Sequence, residues 1–249
     1  MKALYTGKNI IHLKEVHSTN RYTAEMLSNS APIAEGSVIM ADFQTAGKGQ
    51  SGAIWESMPK ENLLLSVYYR PHFIKIADQF ILSIAISLAI CDLFKKYVEN
   101  VTIKWPNDIY VGDQKIAGIL IENSIQQDVI KNSIIGIGLN INQKTFSAHA
   151  KNACSLSQLT GLEYDLQQML QILCECIEER YECIKTESYH SIRLEYLAQL
   201  YRFQHPSKFM INDRIRTATI VGIDEFGRLA LAFDGSIHYF NNKEITFII

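Results

Sequence analysis

Thirteen consecutive uncharged residues, Gln79 to Cys91, run between Asp78 and Asp92. A membrane-spanning helix needs about 20 apolar residues, so this stretch is expected to be a buried core helix. From Asp78 to Tyr97, apolar side chains at Phe80, Ile81, Ile84, Leu88, Cys91 and Phe94 recur at three- and four-residue spacing, which predicts a helix across the whole segment. The first sixteen residues, MKALYTGKNIIHLKEV, hold no continuous apolar core and no small-residue cleavage site. A cytoplasmic protein with no membrane partner is therefore expected.

The surrounding chain alternates strand-like and helix-like segments. Ile10 to Val16, Ser37 to Ala41 and Asn62 to Tyr69 read as strands. Ser18-Thr19-Asn20 supplies capping groups ahead of a helix from about Arg21 to Ser28. Val101–Trp105, Ile109–Val111, Lys115–Glu122 and Ser133–Asn140 follow as strands, two of them joined by the turn Val111-Gly112-Asp113-Gln114. Helical spacing returns from Leu166 to Ile184 and from about Ser188 to Tyr201. After His205-Pro206 come five short β-like runs: Lys208–Ile211, Arg214–Asp224, Arg228–Phe233, Ile237–Asn241 and Thr246–Ile249. They fit a small five-stranded barrel of about 45 residues. The reading is an α/β (α+β) chain with a boundary near residue 205.

With 24 Lys+Arg against 26 Asp+Glu, the chain lacks the basic excess of a charge-driven nucleic-acid binder. Five cysteines without a CxxC pair, and scattered histidines without HExxH, argue against structural zinc or a disulfide framework. Buried, reduced thiols are expected.

Three segments carry possible chemistry. In Ala46-Gly47-Lys48-Gly49-Gln50-Ser51-Gly52, glycines let successive N–H groups turn toward one anion and Lys48 adds charge. The alternative is a flexible surface loop. Lys104-Trp105-Pro106-Asn107-Asp108 ends a strand sharply and presents an amide and a carboxylate. Asp108 suits magnesium, which prefers oxygen ligands, while an ordinary Asx turn is the alternative. Lys115 precedes an apolar strand in which Gly118 would let a ligand lie on the backbone; a snorkelling lysine is the other possibility. In Gly136-Ile137-Gly138-Leu139-Asn140, two glycines thin one face, leaving room for a flat group beside Asn140.

In this order, Ser18-Thr19-Asn20, the glycine loop ending in Trp55, KWPNDIYVGDQKIAGILIE and GIGLNIN closely resemble the catalytic module of biotin–protein ligases, from about Glu15 to Asn142. The later β-rich segment resembles that family's SH3-like second domain, with domains at 1–204 and 205–249. The resemblance implies a mixed, largely antiparallel sheet flanked by helices. It also implies formation of biotinyl-5′-AMP from biotin and MgATP, then transfer of biotin to a lysine of a biotin carboxyl carrier domain. Lys115 would be the catalytic residue. Ser18, Thr19, Asn20, Gln44, Lys48, Gly49, Gln50 and Gly118 would bind biotin. Lys48, Trp55, Asn107, Lys115 and Asn140 would surround the nucleotide, with Asp108 near Mg2+.

Where the family commonly reads GRGRxGR, this loop has no arginine, and lysine lacks arginine's bidentate fork. The adenylate is therefore expected to be held less firmly. With Ser18 so near the start, no DNA-binding domain and no repressor function are expected; the state would be monomer or homodimer. Two rivals remain. One is a lipoate or octanoate ligase or transferase of the same fold, whose Arg-Arg and triple-glycine signature is missing. The other is a catalytically weakened biotin-binding protein.

Overall fold

The computed structural model describes residues 5–30, 32–148, 150, 152–186 and 189–249. Seven strands form the larger sheet: β1 (Ile10–Leu13), β2 (Val38–Ala41), β3 (Leu63–Tyr69), β4 (Val101–Lys104), β5 (Asp108–Val111), β6 (Gln114–Gln126) and β7 (Val129–Leu139). Their order is β1-β2-β3-β7-β6-β5-β4, and only β1–β2 is parallel. Five helices accompany it: α1 (Thr19–Ser28), α2 (Phe80–Phe94), α3 (Leu156–Thr160), α4 (Leu166–Thr186) and α5 (Tyr189–Ala198). Helix α5 begins at Tyr189, and Ser188 lies outside the described residues.

Strand periodicity decides what each sheet face does. Leu63, Leu65, Val67, Ala117, Ile119, Ile135, Ile137 and Leu139 all join the core, on the face that receives α2. Helix α2 is covered in turn by α4 and α5, so it is buried nearly all round, which explains its lack of a polar stripe. Counted from Ile76 to Phe94, the apolar segment reaches 19 residues, enough by length and composition to cross a membrane. Its burial inside this fold accounts for the same composition. The opposite face of the sheet carries α1 and leaves a cleft.

The second sheet contains β8 (Pro206–Ile211), β9 (Arg214–Ile223), β10 (Leu229–Phe233), β11 (Ser236–Phe240) and β12 (Ile245–Phe247), in the order β11-β10-β9-β8-β12. All of its ladders are antiparallel. Among the described residues β11 and β12 share no ladder, so the sheet is open between them. The chain reaches it along the β4 edge, where Ile103 bridges Leu200. Trp105, beside the cis Trp105–Pro106 bond, is buried and donates from Nε1 to the Gly227 carbonyl at 2.8 Å. Gly227 has φ of +86°, and a β-carbon there would meet the Phe80 ring at 2.3 Å.

Two expectations shift in detail. Helix α1 starts at Thr19, with Ser18 extended ahead of it and making no side-chain cap; the Ser-Thr-Asn run opens the helix instead of capping it. Helix α3 was unforeseen, although Ser155 and Gln158 form a full capping box, a pattern visible in sequence.

Two outcomes follow. Gly227→Ala combines left-handed strain with overlap on Phe80 and should lower stability by about 2–4 kcal/mol in denaturant titration; an unchanged midpoint would refute the contact. Burial pushes the thiols of Cys91, Cys154 and Cys174 up to about 12 and that of Cys176 to about 11. At pH 8 a thiol reagent should therefore modify only the partly exposed Cys183 rapidly, and the other four only after unfolding.

Candidate functional site

The cleft face is built from one cross-strand row. Leu64 pairs with Gly138, Gly138 with Gly118, Gly118 with Asp108, and Asp108 with Lys104. In a second row on the same face, Ser66 pairs with Gly136 and Gly136 with Leu120. The glycines keep this floor at backbone level, and what fills the space is specific. A β-carbon at Gly138 would lie 2.4 Å from Trp55 Cε2, and one at Gly118 would lie 2.8 Å from Trp55 Cζ3. The Trp55 indole thus rests directly on strands β6 and β7. A β-carbon at Gly136 would lie 2.5 Å from Asn20 Oδ1.

Helix α1 forms one end of the cleft. Asn20 is held from both sides: Nδ2 donates to Glu122 Oε2 at 2.7 Å and to the Leu120 carbonyl at 3.2 Å. Ser66 Oγ sits 2.6 Å from Asn20 Oδ1 and 2.8 Å from Thr19 Oγ1. Gln44 Oε1 accepts from the Thr19 backbone N–H at 2.8 Å and from its hydroxyl at 3.2 Å. The glycine segment folds back on itself, with Gly49 N–H donating to the Ala53 carbonyl and Trp55 N–H to that of Gly47. This small loop places Lys48, Gly49 and Gln50 over the floor.

Charge lies across the middle. Lys115 Nζ is 2.6 Å from Asp108 Oδ1 and 5.4 Å from the Trp55 ring centre. Asn107 is fixed through its amide, which donates to the Ile119 carbonyl at 2.6 Å. Lys104 stands beyond Asp108, its ammonium pushed below the ordinary lysine range by burial and by Lys115, with Asp108 opposing.

The open space divides into two cavities. The first, about 520 Å³, touches Ser18, Thr19, Asn20, Gln44, Lys48, Gly49, Gln50, Trp55, Asn107, Asp108, Lys115 and Gly118. The second, about 570 Å³, is lined by Phe43, Tyr110, Asn140, Phe146 and Asn152 among others. Gln44, Ile54, Trp55 and Lys115 line both. Every site residue expected from the sequence therefore borders one cavity or the other, and Asn140 borders only the second. Two polar atoms of the site, Trp55 Nε1, which lies over Gly138, and Asn140 Oδ1, are buried without a hydrogen-bond partner.

Ser66 and the Asn242–Phe247 segment contribute to this site without having been singled out, and Lys104 and Glu122, which lie in the quoted segments, contribute without having been given a role. Ser66 left a signal, as a polar residue inside the otherwise apolar strand Leu63–Tyr69, every residue of which is buried. The Asn242–Phe247 segment left none, because it arrives from the second sheet.

Residues 13–140 match the Biotin/lipoate A/B protein ligase family. The chain is 33% identical over 198 residues to the bifunctional ligase/repressor BirA of Bacillus spizizenii, matching 78% of this chain and 60% of that protein. It is 28% identical over 226 residues to the biotin–[acetyl-CoA-carboxylase] ligase of Paracoccus denitrificans, 88% of this chain and 92% of that one. The structure resembles the biotin protein ligase of Aquifex aeolicus in complex with biotin and ATP, with a TM-score of 0.80, 26% identity and coverage of 96% and 98% of the two chains.

The stacking of Trp55 makes its own prediction. Gly138→Ala should lift the indole from the sheet and move tryptophan emission to longer wavelength, while Gly52→Ala, where a β-carbon meets nothing within 4 Å, should leave it in place. Identical spectra for Gly138→Ala and the parent would refute the contact.

Proposed function

This chain belongs to the biotin/lipoate A/B protein ligase family, and from that premise we propose that it is a biotin–protein ligase. It activates biotin with MgATP and passes the acyl group to a lysine of a biotin carboxyl carrier domain. The observation that carries this reading is the position of Lys115 in the wall common to both cavities. Each cavity falls within the range of about 300–1,000 Å³ typical of small-molecule sites.

In this reading biotin occupies the first cavity. Its ureido end meets Ser18, Thr19 and Gln44, with Asn20 held rigid beneath by Ser66 and Glu122. The hydrocarbon part runs beside the Trp55 indole, which itself covers Gly118, under Lys48, Gly49 and Gln50. Adenine occupies the second cavity, which Trp55 and Asn140 both line; Asn107 shapes the turn that carries Asp108.

A carboxylate oxygen of biotin then attacks the α-phosphorus, the bond from that phosphorus to the bridging oxygen breaks, and pyrophosphate leaves with the electron pair. Two anions must approach each other, so the site needs positive charge fixed where they meet. Lys115 supplies it. The ammonium is already poised by Asp108 at 2.6 Å, and turning from that carboxylate to the reacting oxygens keeps it paired throughout. Magnesium, when bound with the triphosphate, offsets charge on the phosphate oxygens. One carboxylate plus phosphate oxygens suits that ion, and Asp108 would hold it directly or through water. In the second half-reaction the neutral amine of the carrier lysine attacks the acyl carbon, AMP departs, and the amine loses a proton. Residues 1–204 form the catalytic unit in this scheme and residues 205–249 a second unit beside it.

The test is acid-dependent exchange of labelled pyrophosphate into ATP, run with biotin, lipoate and octanoate. Exchange with biotin alone is expected, falling by on the order of 100–1,000-fold in Lys115→Ala. Exchange with lipoate or octanoate instead would replace biotin as substrate, and silence with all three in folded protein would sink the ligase reading. Because the glycine loop has no arginine, Lys48→Arg should tighten ATP binding and slow adenylate dissociation; no change in either would show that the loop's cation is not limiting.

A further inference from the structure

Ser66 and Glu122 stand behind the first cavity rather than in its lining, and both bond to residues that line it. Ser66 is fully buried on β3, while Glu122 lies exposed on β6. The donors and acceptors of amides and hydroxyls fix the direction of every bond between them. Asn20 Nδ2 faces two groups that only accept, the Glu122 carboxylate and the Leu120 carbonyl. A flipped amide would set oxygen against oxygen at both contacts, so the Asn20 carbonyl points to Ser66. An amide oxygen cannot donate, and the single Ser66 proton therefore goes to Asn20 Oδ1 at 2.6 Å.

The 2.8 Å contact between Ser66 Oγ and Thr19 Oγ1 then needs the proton of Thr19. Gln44 Oε1, which already accepts the Thr19 backbone N–H, lies 3.2 Å from the same hydroxyl and competes for that proton. Whichever oxygen takes it, Thr19 keeps none for the cavity it lines. Toward a ligand its oxygen presents lone pairs alone. The far end of this relay is a charged acceptor, the stronger kind of hydrogen bond, and it keeps the Asn20 amide from turning over.

We propose that Ser66, with Asn20 and Glu122 behind it, is a positioning residue that makes Thr19 an obligate acceptor. The site thereby selects acids whose far end carries an N–H group. A cyclic urea supplies one. A dithiolane or a plain acyl chain does not, and leaves an acceptor buried without its partner, which a site of this kind discriminates against. Asn20 itself donates nothing to the acid, since Nδ2 is spent on Glu122 and Leu120. This assignment rests on the ligase reading and says how that site tells biotin from lipoate or octanoate.

The experiment is calorimetric titration of the full chain with biotin, desthiobiotin, octanoate and MgATP, each separately. Biotin and desthiobiotin share the cyclic urea. In Ser66→Ala both should weaken by about 5–50-fold, with octanoate and MgATP staying within about twofold. Glu122→Leu alters an exposed residue and keeps the test open should Ser66→Ala not fold. It should give the same pattern at about 3–10-fold, and Glu122→Gln, whose amide oxygen can replace the carboxylate, should recover most of that loss. The double variant Ser66→Ala with Glu122→Leu should cost little more than Ser66→Ala alone, because the two changes interrupt one relay. Unchanged urea affinities in Ser66→Ala and Glu122→Leu would overturn the proposal, as would an equal loss for octanoate and MgATP. A parent chain that binds octanoate but neither urea would overturn it together with the ligase reading. A parent that binds biotin, with variants that bind it equally well, overturns the relay alone.

Discussion

The contact on which the site depends is the Trp55 indole lying flat on backbone at Gly118 and Gly138. Flat apolar contact with strands that side chains do not shield fixes the end of the glycine loop without a directional bond, and the indole Nε1 has no partner. Once Trp55 is seated, Lys48, Gly49 and Gln50 overhang the floor, Lys115 lies near its ring, and the space divides into two chambers sharing one wall. Move the ring and both chambers lose that boundary. The fold's contribution is therefore register: β6 and β7 pair so that Gly118 meets Gly138 and Leu120 meets Gly136.

Two charge arrangements follow from the same ladders. Asp108 is placed opposite Gly118, next to the floor, and Lys104 opposite Asp108. The carboxylate thus separates two ammonium groups, one directed to the common wall and one toward the second sheet. Four lysines and Asp108 line the first cavity, in a chain whose formal net charge is -2. The concentration of charge is local, arranged by pairing, and invisible in composition.

Much of this was legible in the sequence. The alternation in Gly136-Ile137-Gly138-Leu139 announced a strand thin on one face and apolar on the other, and the structure puts the glycines under the cleft and Ile137 and Leu139 in the core. Helix α2 and the β-rich meander after residue 205 were equally plain. What stayed hidden depends on contacts distant in sequence. Nothing near Asn20 indicates that Ser66 and Glu122 hold its amide, 46 and 102 residues away. Nor does Lys104-Trp105 reveal that its lysine will lie against Phe247 and its indole bond to Gly227. The flat group for which the glycines leave room proved to be the protein's own tryptophan.

A floor made of backbone also sets the direction in which this cleft can change. At Gly118, Gly136 and Gly138 there is no side chain to trim, so every substitution removes volume and none adds it. Drift at these positions narrows the repertoire of acceptable ligands. A lineage, or an engineer, seeking to admit a bulkier acid would have to work from the roof, at Trp55, Ile54 or the glycine loop, where shortening a side chain opens space. Here the sheet acts as a fixed gauge and the loop as its adjustable jaw.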